Sequence, residues 1–222
     1  MLVIIEKYGT LLLTALGQTL LLALLGLVFA CILGVIFGLL SVLRNKVCRV
    51  ISWIFVNIIR GVPMIVLAFF VYFGIPYAVN NYLGGSMVLT ALQAGTICLA
   101  LNCGAYMSEI IRAGIQSVDP GQMEAARSLG LSYWRGMFKV VLPQAIRTMI
   151  PSIVNQFIIT LKDTSILSVI GFPELVNQAK NVVAITFRSF DTWLVVGIMY
   201  LIVILILQQV AKILERRLNR GR

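Results

Sequence analysis

Long apolar runs recur along the chain and are separated by short stretches that carry charged, glycine or proline residues. Each run is long enough for the roughly 20 residues that a helix needs to cross the bilayer. None alternates apolar and polar residues over about 10 positions, which is the pattern of a β-barrel strand. We therefore predict an all-α membrane protein with about five transmembrane helices. They lie near Leu11–Leu43, Val50–Val79, Met87–Ile115, Thr148–Ile170 and Trp193–Leu214.

The composition indicates a membrane protein and offers few residues for metal binding or nucleophilic catalysis. Hydrophobic residues make up 60% of the 222 residues and charged residues 12%, against roughly 25% charged in a soluble domain. Histidine, the commonest metal ligand and general base, does not occur in the sequence. The four cysteines lack the paired spacing of a zinc site or a disulfide framework. We therefore predict no metal site and no catalytic residue on this chain.

The net charge of +10 could indicate a nucleic-acid partner, but the basic residues follow a membrane topology instead. They concentrate after the first span, between the third and fourth spans, and at the carboxyl end. By the positive-inside rule the N-terminus is outside and the C-terminus is cytoplasmic. We predict no nucleic-acid partner, because no soluble domain remains to present a basic surface. The basic residues are Arg44, Lys46, Arg49, Arg127, Arg135, Lys139, Arg147, Lys212, Arg216, Arg217, Arg220 and Arg222.

The first span carries a stripe of small residues on one helix face. Gly26, Ala30, Gly34 and Gly38 recur at four-residue intervals. Small residues at this spacing let a second helix approach closely. We expect the stripe to pack against another helix, either of this subunit or of a partner subunit.

Residues 117–147, between the third and fourth spans, contain the signals of a short helix. Asp119 can cap it and Pro120 suits its first position. Gln122 lies three residues after the cap, as in a capping box, and Gly130 can take the left-handed conformation that ends a helix. Such a helix is too short and too polar to span the bilayer, so we expect it on the cytoplasmic side. The residues that we expect it to expose to a partner are Glu124, Ala125, Ala126 and Arg127.

This segment resembles the EAA signature of the permease subunits of ATP-binding-cassette importers. The matching residues are Glu124-Ala125-Ala126, Gly130 and Leu142-Pro143. Resemblance to the polar amino acid subfamily extends to Leu142–Arg147 (LPQAIR), Pro151, Asn155, Lys162–Ser165 (KDTS), Arg60-Gly61 with Pro63, and Leu99–Tyr106 (LALNCGAY). Val62 and Leu67 depart from the family, which usually has threonine and glutamine at these places.

The resemblance implies that residues 1–222 form a single permease domain with the type I ABC importer transmembrane-domain fold, in a bacterial cytoplasmic (inner) membrane. Its partners would be ATPase subunits, a second permease that is a copy or a paralogue, and an extracytoplasmic solute-binding protein. The two permeases would carry a polar amino acid by alternating access. The residues implied in coupling to the ATPase are Gln122, Glu124, Ala125, Ala126, Arg127 and Gly130.

ATP hydrolysis must come from another chain. A P-loop needs a glycine-rich turn that ends in Gly-Lys-Ser or Gly-Lys-Thr, and the sequence contains none. We therefore expect ATP and Mg to be bound by the separate ATPase subunit, and no cofactor to be bound by this chain. The chain itself is expected to be a transport subunit and not an enzyme.

Polar residues inside the spans are the candidate substrate contacts, because an ionised side chain at the bilayer centre costs at least ~2.5 kcal/mol. Asp163 either faces a central cavity and binds the substrate's ammonium group, or pairs with another charge in the bundle. Asn102 either hydrogen-bonds the substrate or holds two helices together. Thr164 and Ser165 follow Asp163 and are candidate substrate-binding residues with it. For Lys162 we favour pairing within the bundle, since adjacent helical residues diverge by about 100° and cannot both face one cavity.

Three further charged residues are given structural interpretations. Glu109 and Arg112 lie three residues apart on one helix face and are expected to pair with each other. Arg60, which precedes Gly61 and Pro63, either faces the cavity or caps a bend, and we favour the structural role.

A second hypothesis is a gradient-driven secondary transporter or a channel, which charged residues inside the spans would also permit. Such a protein has no need of the EAA segment, and secondary transporters often contain internal repeats, which we do not find. A third hypothesis is a scaffold that only anchors other proteins. Substrate-dependent ATPase activity of the assembled complex would distinguish the importer from that scaffold. The sequence leaves open which amino acid is transported.

Overall fold

The structure, a computed structural model, describes the backbone of residues 1–219 and the side chains of residues 1–213. That part of the chain consists of helices and loops, without a strand. The helices are α1 (Leu2–Val42), α2 (Lys46–Gly61), α3 (Met64–Tyr82), α4 (Ala91–Gln116), α5 (Pro120–Ser128), α6 (Tyr133–Ile170), α7 (Leu175–Thr186) and α8 (Ser189–Asn219). Of these, α1, α3, α4, α6 and α8 are long and apolar enough to cross a membrane. The predicted all-α class with five spans is confirmed.

The second predicted span, Val50–Val79, is divided in the structure. Val62, which follows α2, is extended, with φ −102° and ψ 131°. Pro63 explains the break, because a proline ring disfavours the helical conformation at the residue before it. The spanning part is therefore α3, and α2 is a separate amphipathic helix. The Ser52 hydroxyl ties α2 to α1 by donating to the Phe37 carbonyl at 2.7 Å.

Two prolines widen the helices that contain them. A π-helical turn covers Phe70–Gly74 in α3, just before Pro76, and another covers Met137–Val141 in α6, just before Pro143. Proline lacks an N–H group and its ring clashes with the carbonyl four residues earlier. The wider turn accommodates the ring without ending the helix. Helix α6 therefore begins well before the predicted start at Thr148.

Helices α1 and α4 make the most extensive contact in the bundle, through the predicted small-residue stripe. All four residues of the stripe are buried. A Cβ atom added to Gly34 would lie 2.5 Å from the Met107 Cβ, and one added to Gly38 would lie 2.8 Å from the Ile111 Cβ. The stripe therefore packs within this subunit, where it lets α4 approach the backbone of α1.

We expect Gly34→Leu to destabilise the subunit by at least about 2 kcal/mol, because a side chain at this position must push α4 away from α1. The thermal unfolding midpoint of the purified protein measures the effect. Gly17→Leu is the matched control on the same helix, since nothing lies within 4 Å of a Cβ added there. Equal midpoints for the two variants would show that the stripe does not hold the helices together.

Helix α7 was not predicted, and a buried carboxylate holds it in place. Glu174 is fully buried and accepts hydrogen bonds from the backbone N–H groups of Val176 and Asn177 at 2.8 and 2.6 Å. The Tyr200 hydroxyl of α8 donates to the same carboxylate at 3.2 Å. Burial raises the pKa of Glu174, and these hydrogen bonds oppose that shift. The carboxylate thus connects α7 to the last span.

The start of the chain and the start of α8 lie at the same end of the bundle. The Met1 ammonium contacts the Asp191 carboxylate at 2.7 Å. Helices α1 and α8 therefore run in the same direction, as an odd number of spans requires. The side of the membrane on which each terminus lies stays a prediction. Of the basic residues at the carboxyl end, Arg216, Arg217, Arg220 and Arg222 lie outside the residues whose side chains are described.

Candidate functional site

A cavity of about 530 Å³ lies where α2, α3, α4 and α6 meet. Its polar lining consists of Arg60, Asn102, Tyr106, Gln156 and Asp163. The rest of the lining is mostly apolar and includes Ile59, Val62, Pro63, Met64, Ile159 and Ile166. A mostly apolar concavity with a few convergent polar groups is the usual form of a small-molecule site.

Helix periodicity turns these polar side chains toward the cavity. Asn102 and Tyr106 are one turn apart on α4, and Gln156 and Asp163 are two turns apart on α6. Residues with these spacings share a helix face. Arg60 reaches the same opening from the last turn of α2, immediately before the chain breaks at Pro63.

The structure brings together two of the four predicted substrate-binding residues. Asn102 and Asp163 line one cavity, whereas Thr164 and Ser165 do not line it. Thr164 is fully buried, and its hydroxyl donates to the Leu161 carbonyl at 2.7 Å. The Ser165 hydroxyl donates to the Lys162 carbonyl, also at 2.7 Å. The role of all four residues as substrate contacts stays a prediction.

The environment of Lys162 differs from the expectation. Its side chain is exposed, and it makes no ion pair with any carboxylate among the described side chains. The favoured interpretation of Lys162 is therefore wrong for this subunit. Because Asp163 faces the cavity, the preceding side chain points about 100° away, where it is exposed on this subunit.

Arg60 belongs to a cluster of three charged residues beside the cavity. Arg112 donates two hydrogen bonds to the Glu109 carboxylate, at 3.0 and 2.8 Å, which confirms the predicted pair. The Arg60 guanidinium lies 3.6 Å from the same carboxylate and 4.8 Å from the centroid of the Tyr106 ring. A cation in the last turn of α2 also suits the negative end of the helix dipole. The structural interpretation of Arg60 is thus incomplete, because the side chain lines the cavity as well.

Helix α5 has the predicted cap at each end. The Asp119 carboxylate accepts a hydrogen bond from the Gly121 N–H at 2.7 Å. At the other end Gly130 has a φ of +83°, and the Leu131 N–H donates to the Ala126 carbonyl at 3.1 Å. This arrangement is a Schellman motif, and it fixes where the helix stops.

Two details of α5 differ from the prediction. Gln122 does not complete a capping box, since its side-chain oxygen accepts a hydrogen bond from the Gln144 amide of α6 at 3.3 Å. Ala126 is only 3% exposed, so the expectation that it faces a partner is wrong. A Cβ atom added to Gly136 would lie 3.4 Å from the Ala126 Cβ, which shows how closely α5 lies on α6.

The outer face of α5 is exposed in the described subunit. Its exposed residues include Gln122, Glu124, Ala125, Arg127 and Gly130. Leu129 is 84% exposed at the end of the helix, and sequence reasoning did not single it out. Leu129 follows the charged residues Glu124 and Arg127 and precedes Gly130, which ends the helix. It gives the exposed face of α5 an apolar residue.

Two cavity residues were missed although the sequence contained a signal for them. Tyr106 lies four residues after Asn102, and Gln156 lies seven residues before Asp163. Each therefore falls on the same helix face as the candidate that was identified. Extending the candidates along their helix faces would have found both residues.

Comparisons with known proteins show that the chain is similar to transport proteins. Residues 30–220 match the family described as binding-protein-dependent transport system inner membrane component. The chain is 35% identical over 202 residues to the glutamine transport system permease protein GlnP of Escherichia coli, covering 91% of this chain and 90% of that protein. It is 38% identical over 207 residues to the probable glutamine ABC transporter permease protein GlnM of Bacillus subtilis, covering 92% and 91%.

Solved structures have the same fold. A crystal structure of an amino acid ABC transporter with histidines matches with a TM-score of 0.87 and 36% identity over 96% of each chain. The inward-facing MetNI methionine ABC transporter matches with a TM-score of 0.79, covering 96% of this chain and 98% of that one. Its identity is 22%, so this second likeness concerns the fold alone. The predicted fold is thereby confirmed.

Proposed function

We propose that this chain, which belongs to the family of binding-protein-dependent transport system inner membrane components, forms the substrate path of an ATP-driven importer of polar amino acids. It is a membrane-spanning permease subunit of an amino acid ABC importer. The observation that carries the proposal is that Asn102 and Asp163 meet in one cavity between spanning helices.

The cavity is the proposed substrate site. The Asp163 carboxylate suits the α-ammonium group that every amino acid substrate carries, and the Asn102 amide can donate to its carboxylate. A hydrogen bond to a charged group contributes about 1.5–3 kcal/mol. A carboxylate that lines a cavity between membrane-spanning helices also meets the expectation that an intramembrane charge marks a substrate path.

Helix α5 is the proposed contact with the ATPase subunit, which binds ATP and Mg. Gln122, Glu124, Ala125, Arg127 and Gly130 supply or flank the exposed face. Ala126 lies on the buried face of α5, where its contact with Gly136 fixes the helix on α6. A short helix that is capped at both ends and anchored to a spanning helix is suited to transmit movement between subunits.

The assembly that follows has two permeases, identical or related, two ATPase subunits and an extracytoplasmic solute-binding protein. The permeases enclose the substrate path between them, and movement of α5 with the ATPase opens it alternately to each side. With α5 on the cytoplasmic side of a bacterial inner membrane, the N-terminus is outside and the C-terminus is cytoplasmic. This orientation agrees with the positive-inside rule.

Uptake of labelled amino acids into proteoliposomes tests the proposal. The chain is reconstituted with its ATPase subunit, and the solute-binding protein is added on the uptake side. We expect uptake to require both ATP and the solute-binding protein. Uptake that runs on an ion gradient without ATP, and stops when an ionophore is added, would favour the secondary transporter.

A further inference from the structure

A second cavity, of about 650 Å³, lies between the end of α1, one side of α2 and the last turns of α4. We call it the basic groove, because four cations and one carboxylate line it. Val50 and Trp53 of α2 line it as well. The charged residues of the basic groove are Lys46, Arg49, Arg60, Glu109 and Arg112.

Two cations of the basic groove have no partner in the described part of the subunit. Glu109 and Arg112 neutralise each other through two hydrogen bonds, at 3.0 and 2.8 Å. Lys46 and Arg49, by contrast, make no ion pair with any carboxylate among the described side chains. The sequence has no acidic residue between Glu6 and Glu109, so nothing on α2 or at the end of α1 can neutralise them. The groove therefore keeps an excess of positive charge.

A third cation lies close to these two, at the end of the bundle where α5 begins. A cavity of about 420 Å³ shares Arg49 with the basic groove and is also lined by Arg44. The Arg44 guanidinium lies 5.5 Å from the centroid of the Tyr133 ring. Such a cation–π contact uses none of the N–H donors of the arginine. Like charges repel one another, so this group of cations favours an anionic ligand.

Another side of α2 is apolar and exposed. Its residues recur at three- and four-residue spacing and are between 44% and 64% exposed. Trp53, between this side and the cations, is 66% exposed, and tryptophan is enriched where a membrane meets water. A helix with basic residues on one side and exposed apolar residues on another is typical of contact with anionic lipid. The apolar residues are Val47, Ile51, Ile54 and Ile58.

We propose that the basic groove binds the phosphate-bearing headgroup of an anionic phospholipid from the cytoplasmic leaflet. The choice of leaflet rests on the proposed function, which puts α5 and this end of the bundle on the cytoplasmic side. Basic pockets between membrane-spanning helices on that side bind anionic headgroups. Lys46 and Arg49 donate charge-assisted hydrogen bonds to the phosphate. The acyl chains contact the exposed apolar side chains of α2.

A phospholipid suits the groove better than a second copy of this chain or a soluble anion. The chain has 8 acidic and 18 basic residues, so a second copy brings few carboxylates and many like charges. A soluble anion leaves Val50 and Trp53 uncovered, whereas a phospholipid supplies both a negative phosphate and apolar chains that bury such side chains favourably. The volume of about 650 Å³ lies within the range of small-molecule sites.

Native mass spectrometry of the purified permease–ATPase complex, titrated with phosphatidylglycerol or with zwitterionic phosphatidylcholine, tests the inference. The wild type should bind phosphatidylglycerol at least about 10-fold more tightly. The double variant Lys46→Gln/Arg49→Gln should lose this preference, because it removes the two unpaired cations. Arg135→Gln/Lys139→Gln is the matched control, since it removes two exposed charges of α6 outside the groove lining and should keep the preference. Unchanged assembly with the ATPase, measured by size-exclusion chromatography, shows that both variants fold.

Inorganic phosphate distinguishes the lipid from a soluble anion. At matched ionic strength it should displace phosphatidylglycerol no better than chloride does. Equal wild-type affinity for the two lipids, a preference that survives in Lys46→Gln/Arg49→Gln, or displacement by phosphate alone would each overturn the inference. These outcomes leave the importer function standing, because ATP-dependent uptake is measured separately. A complex that takes up no amino acid contradicts the proposed function, whichever lipid it binds.

Discussion

Asp163→Asn is expected to slow amino acid transport about 10- to 100-fold while assembly with the ATPase survives. The change keeps the size of the side chain but removes the charge that binds the substrate's ammonium group, an interaction of about 1.5–3 kcal/mol. Assembly should survive because Asp163 makes no ion pair with another described side chain. Initial uptake rates in proteoliposomes measure the effect, and size-exclusion chromatography measures assembly.

Lys162→Gln is the matched control for this prediction. The residue is adjacent in sequence and loses one charge, but its side chain is exposed and does not line the cavity, so transport should stay close to the wild-type rate. Asn102→Ala should impair transport less than Asp163→Asn, since it removes a neutral partner from the same cavity. Normal transport in both Asp163→Asn and Asn102→Ala would refute the site.

Glu124→Arg is expected to produce the second large effect, by weakening the binding of the ATPase subunit at least about 30-fold. Truncating or reversing one charge in a desolvated interface costs about 2–5 kcal/mol. Glu124 is exposed and makes no ion pair within the described part of the subunit, so the permease itself should fold as before. The dissociation constant of the purified subunits, measured by biolayer interferometry, gives the effect.

Glu6→Arg provides the control, because it makes the same charge reversal at an exposed position at the start of α1. It should leave ATPase binding unchanged. If Glu124→Arg bound the ATPase as tightly as the wild type, α5 would not be the contact surface, and another cytoplasmic segment would have to replace it.

The two predictions concern the cavity and helix α5, which helix α6 connects. Helix α6 begins at Tyr133, close to α5, and continues to Asp163 at the cavity. Two contacts fix α5 on the first turns of α6. They are the hydrogen bond from Gln144 to Gln122 and the contact between Ala126 and Gly136. We expect a displacement of α5 to be transmitted to the cavity along this helix.

The elements that could be predicted from the sequence depend on local signals. Apolar runs give the spans, since the bilayer sets their length. The caps at Asp119 and Gly130 depend only on residues within the same short helix. The stripe on α1 is also visible in sequence, because small residues every four positions share a face. Its partner could not be deduced, since either this subunit or another could supply the facing helix.

The parts that were missed depend on contacts between distant residues. Nothing near Glu174 in the sequence indicates that Tyr200 completes its hydrogen bonds. The cavity was the less favoured of the two interpretations of Arg60, and its position there depends on the break between α2 and α3 at Pro63. Pro63 was visible in the sequence, and treating it as a helix end would have divided the second span correctly.

The most direct measurement is the ATPase activity of the permease–ATPase complex in lipid, with and without the solute-binding protein and each of a panel of polar amino acids. We expect one of these amino acids to stimulate hydrolysis several-fold in the wild type, and the stimulation to disappear in Asp163→Asn and in Glu124→Arg. Hydrolysis that does not respond to any polar amino acid, or a permease that binds no ATPase, would contradict an importer in which this chain couples a substrate cavity to ATP hydrolysis.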